Sequence, residues 1–269
     1  MATVDTGDGH IYYETIEMTP PWRAAPETIL FHHGVGIDRR IWAEWLPVLA
    51  ERYRIVWFDL RGYGRSHVPE DGYAWTMETL AADALAVADA AGCERFHFVG
   101  ESLGGAMALY LAIHHADRLL SITPCTSPNR GGNVQWLIEW RDFIAKNGMD
   151  GWSKRMMERR FPPGILSQER WDWFHAVQSA CAAESVLGLG DMLTGLDLTA
   201  DLPSIALPTL LIAADRSPFL PLSVALEIRD AVPDSELRVI AGARHGIVYS
   251  HARDCALTLR DFLGRRGNA

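Results

Sequence analysis

The chain has 269 residues, of which 48% are hydrophobic and 22% charged, as in ordinary soluble globular proteins. Its formal net charge of −9 argues against a nucleic-acid surface, which would need a basic patch or stripe. No apolar run reaches the ~18–20 residues of a membrane span, and "MATVDTGDGH" lacks the basic and apolar segments of a signal peptide. A cytoplasmic protein with no membrane or nucleic-acid partner is the expectation. The four cysteines lie far apart with no CxxC pair, which predicts reduced, buried thiols and neither a zinc site nor a disulfide framework.

Taken in chain order, "HIYYETI" (10–16) alternates as a half-buried strand. "TILFHHG" (28–34), "RIVWFDL" (54–60) and "RFHFVGE" (95–101) are short apolar runs ended by glycine or charge, the pattern of buried parallel strands. Residues 76–93 carry apolar positions near a 3.6-residue spacing and end at Gly92, which predicts a helix. A second helix is predicted through "AMALYLAIHHA" (106–116), and "LLSITPC" (119–125) reads as the next strand. From about 127 to 202 the strand–helix rhythm stops. That stretch is helical and aromatic, with Trp136, Trp140, Trp152, Trp171 and Trp173. The rhythm resumes with a strand at 208–214, a helix at 222–232, a strand at 235–242 and a closing helix at 252–264. The pattern predicts a parallel-sheet core of residues 1–126 and 203–269, interrupted by a helical cap at 127–202.

"GESLGG" (100–105) matches G-x-S-x-G around Ser102, between a buried strand and an Ala-rich helix. Small residues on either side let the backbone turn sharply, so that the serine hydroxyl stands at a helix N-terminus. A serine nucleophile needs a base, and His245 follows the last strand between Gly242 and Gly246. His251 is better placed to cap or pack against the final helix. A developing oxyanion needs two N–H donors. Leu103 directly after the serine and Val35 in "FHHGVG" are the candidates, with His32 and His33 bracing that loop. "DLRGYGRS" (59–66) reads as an architectural turn held by Asp59 and Arg61.

These segments resemble the α/β-hydrolase superfamily over nearly the whole chain, in the branch of 3-oxoadipate enol-lactonases, carboxylesterases and cofactor-free haloperoxidases. "HHGVG", "DLRGYGRS", "GESLGG", "PTLLIAAD" and "GARHG" come in that order. "GARHGIVYSHA" is similar to the haloperoxidase ending and "MERRFPPG" (157–164) to the enol-lactonase group. The resemblance implies a mostly parallel twisted sheet flanked by helices, with a helical cap. It also implies a serine hydrolase acting on a small carboxylic ester or lactone, without cofactor or metal. Perhydrolysis or carbon–carbon bond hydrolysis would use the same groups, and a ligand-binding sensor on the scaffold is the rival of another class. Homo-oligomer formation is left open.

The family's acid position, four residues before Pro221, holds Ser217. Asp215 lies two residues upstream and points the same way if the strand runs that far. It is the expected acid. The alternatives are a cap carboxylate (Asp191, Asp197 or Asp201) or a Ser–His dyad in which Ser217 orients the imidazole. Within the cap, Trp136, Trp140 and Trp152, with Met149, Met156, Met157 and Met192, suggest an apolar pocket over Ser102. Arg155 and Arg159 share a helix face and could hold a substrate carboxylate or simply form a solvated surface.

Overall fold

The computed structural model of the protein describes residues 2–22, 25–133 and 139–266. Eight strands form one sheet in the order β1-β2-β4-β3-β5-β6-β7-β8. They are β1 (Ala2–Asp5), β2 (His10–Ile16), β3 (Thr28–His32), β4 (Arg54–Phe58), β5 (Phe96–Glu101), β6 (Leu119–Cys125), β7 (Thr209–Ala214) and β8 (Ser235–Ile240). β1 and β2 run antiparallel at one edge, and the pairs from β4 through β8 are parallel.

The central strands are apolar on both faces because both faces are covered. Leu30, Val56 and Phe98 point to one side, where they pack with helices α2 (Met77–Ala90) and α3 (Leu103–His114). Ile29, Phe31, Ile55, Trp57 and Val99 point to the other. There they meet a 3₁₀ segment (Arg39–Trp45), the short α1 (Leu46–Leu49) and the C-terminal α9 (Ala252–Arg266). The period of two along each strand thus sorts one apolar run into two cores. Local signals set the helix ends: the Thr76 hydroxyl accepts the Thr79 N–H at 3.1 Å to start α2, and Gly92, at φ 70°, follows its end.

Between β6 and β7 the chain forms α4 (Trp140–Arg160), α5 (Gln168–Ser179) and α6 (Ala183–Thr194). This segment leaves and returns through a neck of backbone hydrogen bonds, Gly131 N–H to Leu196 (2.7 Å) and Leu198 N–H to Asn129 (2.9 Å). Gly148 interrupts α4 with φ 66° and ψ 179°, a geometry that suits glycine. α7 (Leu222–Ala231) follows β7, and the short α8 (Ile247–Ser250) precedes α9. Edge strand β1, the 3₁₀ segment, α1 and α8 lie outside the sequence reading. Each is too short to show a period. Among the described residues, no helix is long and apolar enough to cross a membrane.

Candidate active site

The C-terminal ends of β3, β5, β6 and β7 meet on one edge of the sheet, where helices from the insertion cover them. The register places His32 beside Gly100 and Gly100 beside Pro124. At the end of β5 the chain turns abruptly into α3. Ser102, the residue before the helix, has φ 55° and ψ −111°, a conformation that L-residues adopt at a strain of order 1–3 kcal/mol. The turn is forced by close approach: a methyl group on Gly100 would overlap the Gly104 carbonyl, and one on Gly104 would overlap the His32 carbonyl. Only glycine fits at either place.

The loop after β3 lies directly against this turn, close enough that a side chain at Gly34 would strike Glu101 and crowd Ser102. His32 and His33 brace it from within. His33 Nε2 accepts the Leu60 N–H at 2.9 Å, so its Nδ1 carries the proton donated to the Gly34 carbonyl at 2.8 Å. His32 Nδ1 lies 2.7 Å from the His33 carbonyl, and burial pushes its pKa down to about 3. Val35 follows, buried, beside Ser102. The "DLRGYGRS" turn is likewise a scaffold: Asp59 accepts from the Arg39 and Arg65 N–H groups, and Arg61 pairs with buried Asp83.

His245 is 3% exposed, and its ring packs edge-on against Phe219 with centroids 5.0 Å apart. Burial, reinforced by the Arg160 guanidinium, holds its pKa well below the ordinary imidazole value, so the ring is neutral. The loop that carries it is fastened to the end of α4 by the Gly246 N–H to the Arg160 carbonyl (3.1 Å) and by Arg244 to the Phe161 carbonyl (3.3 Å). Ser102, His245, Val35, Trp140, Arg160 and Phe219 all line one cavity of about 20 Å³, room for roughly one water molecule.

The acid expected at Asp215 is a correction. β7 ends at Ala214, so the alternation that would turn Asp215 inward stops one residue short. The Arg216 N–H bonds instead to the Ala243 carbonyl, and Asp215 is exposed. Ser217 Oγ takes the place beside the imidazole, 3.3 Å from His245 Nδ1, and it also accepts the N–H groups of Phe219 and Leu220. The cap carboxylates are no closer to the part: Asp191, Asp197 and Asp201 are exposed, and Asp191 pairs with Arg141 at 2.7 Å.

The expected pocket residues divide in the same way. Trp140 lines the cavity. Trp152 does not: it is fully buried behind Trp140, with ring centroids 5.2 Å apart, and lies against Gly36. Trp136 lies outside the described residues. Arg155 pairs with Glu139 at 3.0 Å and stacks over Phe143, and Arg159 faces Arg155 and Glu139. Neither lines the cavity. The arginine that does is Arg160, 4% exposed, whose Nη2 donates to the Val35 carbonyl at 2.9 Å.

Two groups here escape the sequence reading, Arg160 and Glu101. Helical spacing holds a signal for the first, since Arg160 follows buried Met156 by four residues and so shares its face rather than that of Arg155 and Arg159. Glu101 is fully buried at the end of β5, against the Gly34 backbone of the loop after β3. Its Oε1 lies 3.6 Å from His245 Nε2 and 3.7 Å from Arg160 Nη1. Burial raises its pKa from 4.5 to about 7, against the opposing pull of Arg160 and the Gly34 backbone. Among the described residues, no group of three or more His, Cys, Asp or Glu side chains converges as a metal site requires.

Comparisons with known proteins agree with this architecture. Residues 27–165 match the alpha/beta hydrolase fold family. RutD of Agrobacterium fabrum, to which a carbamate hydrolase activity has been ascribed, is 30% identical over 83% of this chain and 88% of its own length. 3-Oxoadipate enol-lactonase 1 of Acinetobacter baylyi is 30% identical over 71% of each chain. The crystal structure of the enol-lactonase from Burkholderia xenovorans LB400 superposes with a TM-score of 0.88 at 22% identity, covering 98% of this chain and 100% of that one.

Proposed function

Because the chain belongs to the alpha/beta hydrolase family and is an enzyme acting on ester-type bonds, we propose that it is a serine hydrolase of small carboxylic esters or lactones. The observation that carries this reading is the strained Ser102 at the head of α3, opening into the cavity that His245 and Val35 also line. Ser102 Oγ attacks the substrate carbonyl while His245 Nε2 takes the serine proton. The carbonyl oxygen, now negative, is held by the N–H groups of Val35 and Leu103; as the first residue of a helix, Leu103 has no intrahelical partner for its N–H. His245 returns the proton to the leaving alkoxide, and water attacks the acyl-enzyme by the same path in reverse. The helices between β6 and β7 act as the cap of this site and keep bulk water from the acyl group.

Trp140, Leu193 and Phe219 wall the cavity beside Ser102 closely, so a short acyl group is the first to test. kcat/KM for p-nitrophenyl acetate, with Ser102→Ala as the floor and mass spectrometry of the trapped acyl-enzyme, tests the reading. A wild type no faster than Ser102→Ala, with no acyl adduct, rejects it. A second reading, cleavage of a carbamate, rests on the 30% identity to RutD. Rates on p-nitrophenyl N-methylcarbamate measured beside the acetate rank the two.

A further inference from the structure

We infer that Glu101, the residue before the nucleophile, is the carboxylate of this site and serves His245 as its charge-compensating, positioning residue from the Nε2 side. The inference rests on the serine-hydrolase reading above. It starts from a gap. His245 must become an imidazolium when it takes the Ser102 proton, and a buried imidazolium needs a counter-charge. The group beside Nδ1 is the Ser217 hydroxyl, which is polar but uncharged and already receives two backbone N–H groups. Asp215, Asp191, Asp197 and Asp201 are all exposed.

Glu101 is a fully buried carboxylate whose Oε1 lies 3.6 Å from Nε2, and the groups that favour its charged form are Arg160 and the Gly34 backbone. A buried carboxylate at that distance is placed to face a charge that the neutral resting imidazole does not carry. The imidazolium that forms during acylation carries that charge, while its Nε2–H stays aimed at the leaving alkoxide. In that step the serine O–H bond breaks and the Oγ–carbonyl carbon bond forms. The carbonyl π pair moves to oxygen, and the proton goes to Nε2. Glu101 accepts no proton in the balance; it compensates the charge that His245 acquires. Arg160 Nη1, 3.7 Å from the same oxygen, favours the ionised carboxylate against the effect of burial.

The groups facing Glu101 come from four elements. Arg160 projects from α4, His245 from the loop after β8, the Cys125 thiol from β6 and the Gly34 backbone from the loop after β3. Tyr63 and Cys181 face Arg160 from its other neighbours. With its pKa near 7, Glu101 is ionised only above neutrality, so activity is expected to rise with pH through about 7. The His245 limb lies lower because burial depresses it.

The test follows kcat/KM for p-nitrophenyl acetate and the rate of Ser102 labelling by a fluorophosphonate from pH 5 to 9. Glu101→Gln is expected to lose about 30-fold or more at pH 8, to lose the limb near 7, and to regain rate in the double variant Glu101→Gln/Ser217→Asp. Retention of rate within threefold overturns the inference. So does a loss of equal size at every pH with the limb intact, because that is the mark of a merely structural tie to Arg160. Should Glu101→Gln fail to fold, Ser217→Asp in the wild-type background decides. A carboxylate at Nδ1 is expected to move the limb to lower pH, and an unmoved limb overturns the inference. A wild type labelled no faster than Ser102→Ala rejects the serine-hydrolase reading itself and this inference with it, whereas normal labelling with an unaffected Glu101→Gln rejects this inference alone.

Discussion

The turn after β5 and the turn after β7 occupy equivalent places on the sheet, yet only one of them keeps its expected form. After β5, Gly100, Gly104 and Gly105 pack so tightly on their neighbours that a methyl group fits at none of the three. The turn after β7 has no such constraint: Asp215 and Arg216 are exposed, and Ser217 stands where the sequence pattern leads one to expect an acid. A function secured by backbone packing leaves a rigid spacing in the sequence. One secured by a single side-chain charge can be supplied from any neighbouring element that reaches the imidazole, and here the buried carboxylate comes from β5, at Nε2 rather than Nδ1.

That contrast can be broken at either end. The largest effect belongs to the β5 turn, where Ser102→Ala is expected to lower kcat/KM on p-nitrophenyl acetate by on the order of 10⁴-fold or more without changing thermal stability. Gly100→Ala, by contrast, is expected to destabilise the protein by about 3 kcal/mol or more, because its methyl group would overlap the Gly104 carbonyl; urea unfolding measures this. At the β7 turn, Asp215→Asn is expected to leave kcat/KM within about twofold, against the ~10⁴-fold loss that follows removal of a triad acid. A drop of that size would return Asp215 to the site.

A smaller effect concerns stability. The Glu101 pKa is raised on folding, from 4.5 to about 7, so the folded state binds this proton more tightly than the unfolded one. Its contribution is therefore lost as pH rises between those values, and the penalty above pH 7 is on the order of 3 kcal/mol. Glu101→Gln is expected to melt with the wild type near pH 5 and several degrees above it at pH 8, by differential scanning calorimetry. The smallest effect is on selectivity. The ratio of butyrate to acetate ester hydrolysis is expected to rise about tenfold in Trp140→Ala, since that side chain walls the small cavity.

Most of the fold is legible in the sequence because buried strands and amphipathic helices leave periods, and "TILFH", "RIVWF" and "FHFVGE" emerge as β3, β4 and β5. Ser102 and His245 are legible for a related reason, since each sits in a turn whose glycines mark it. Asp215 misleads because its direction depends on where β7 stops, and a one-residue difference in strand length reverses it. Trp152 misleads because an aromatic in a helical insertion has the same sequence signature whether it walls a cavity or fills the space behind one. Glu101 lies inside the motif that identifies the site, at a position the motif leaves unspecified. A carboxylate closing a strand that is buried along its whole length is the signal that marks it.

The end of α4 ties down both halves of the chemistry. Arg160 grips the Val35 carbonyl with its side chain and the Gly246 N–H with its own carbonyl, so one residue spans the oxyanion loop and the histidine loop. A displacement of this end of the helix would therefore pull on both loops together. Gly148, whose non-helical φ and ψ break α4 twelve residues upstream, is the point where that helix is least held by its own hydrogen-bond pattern.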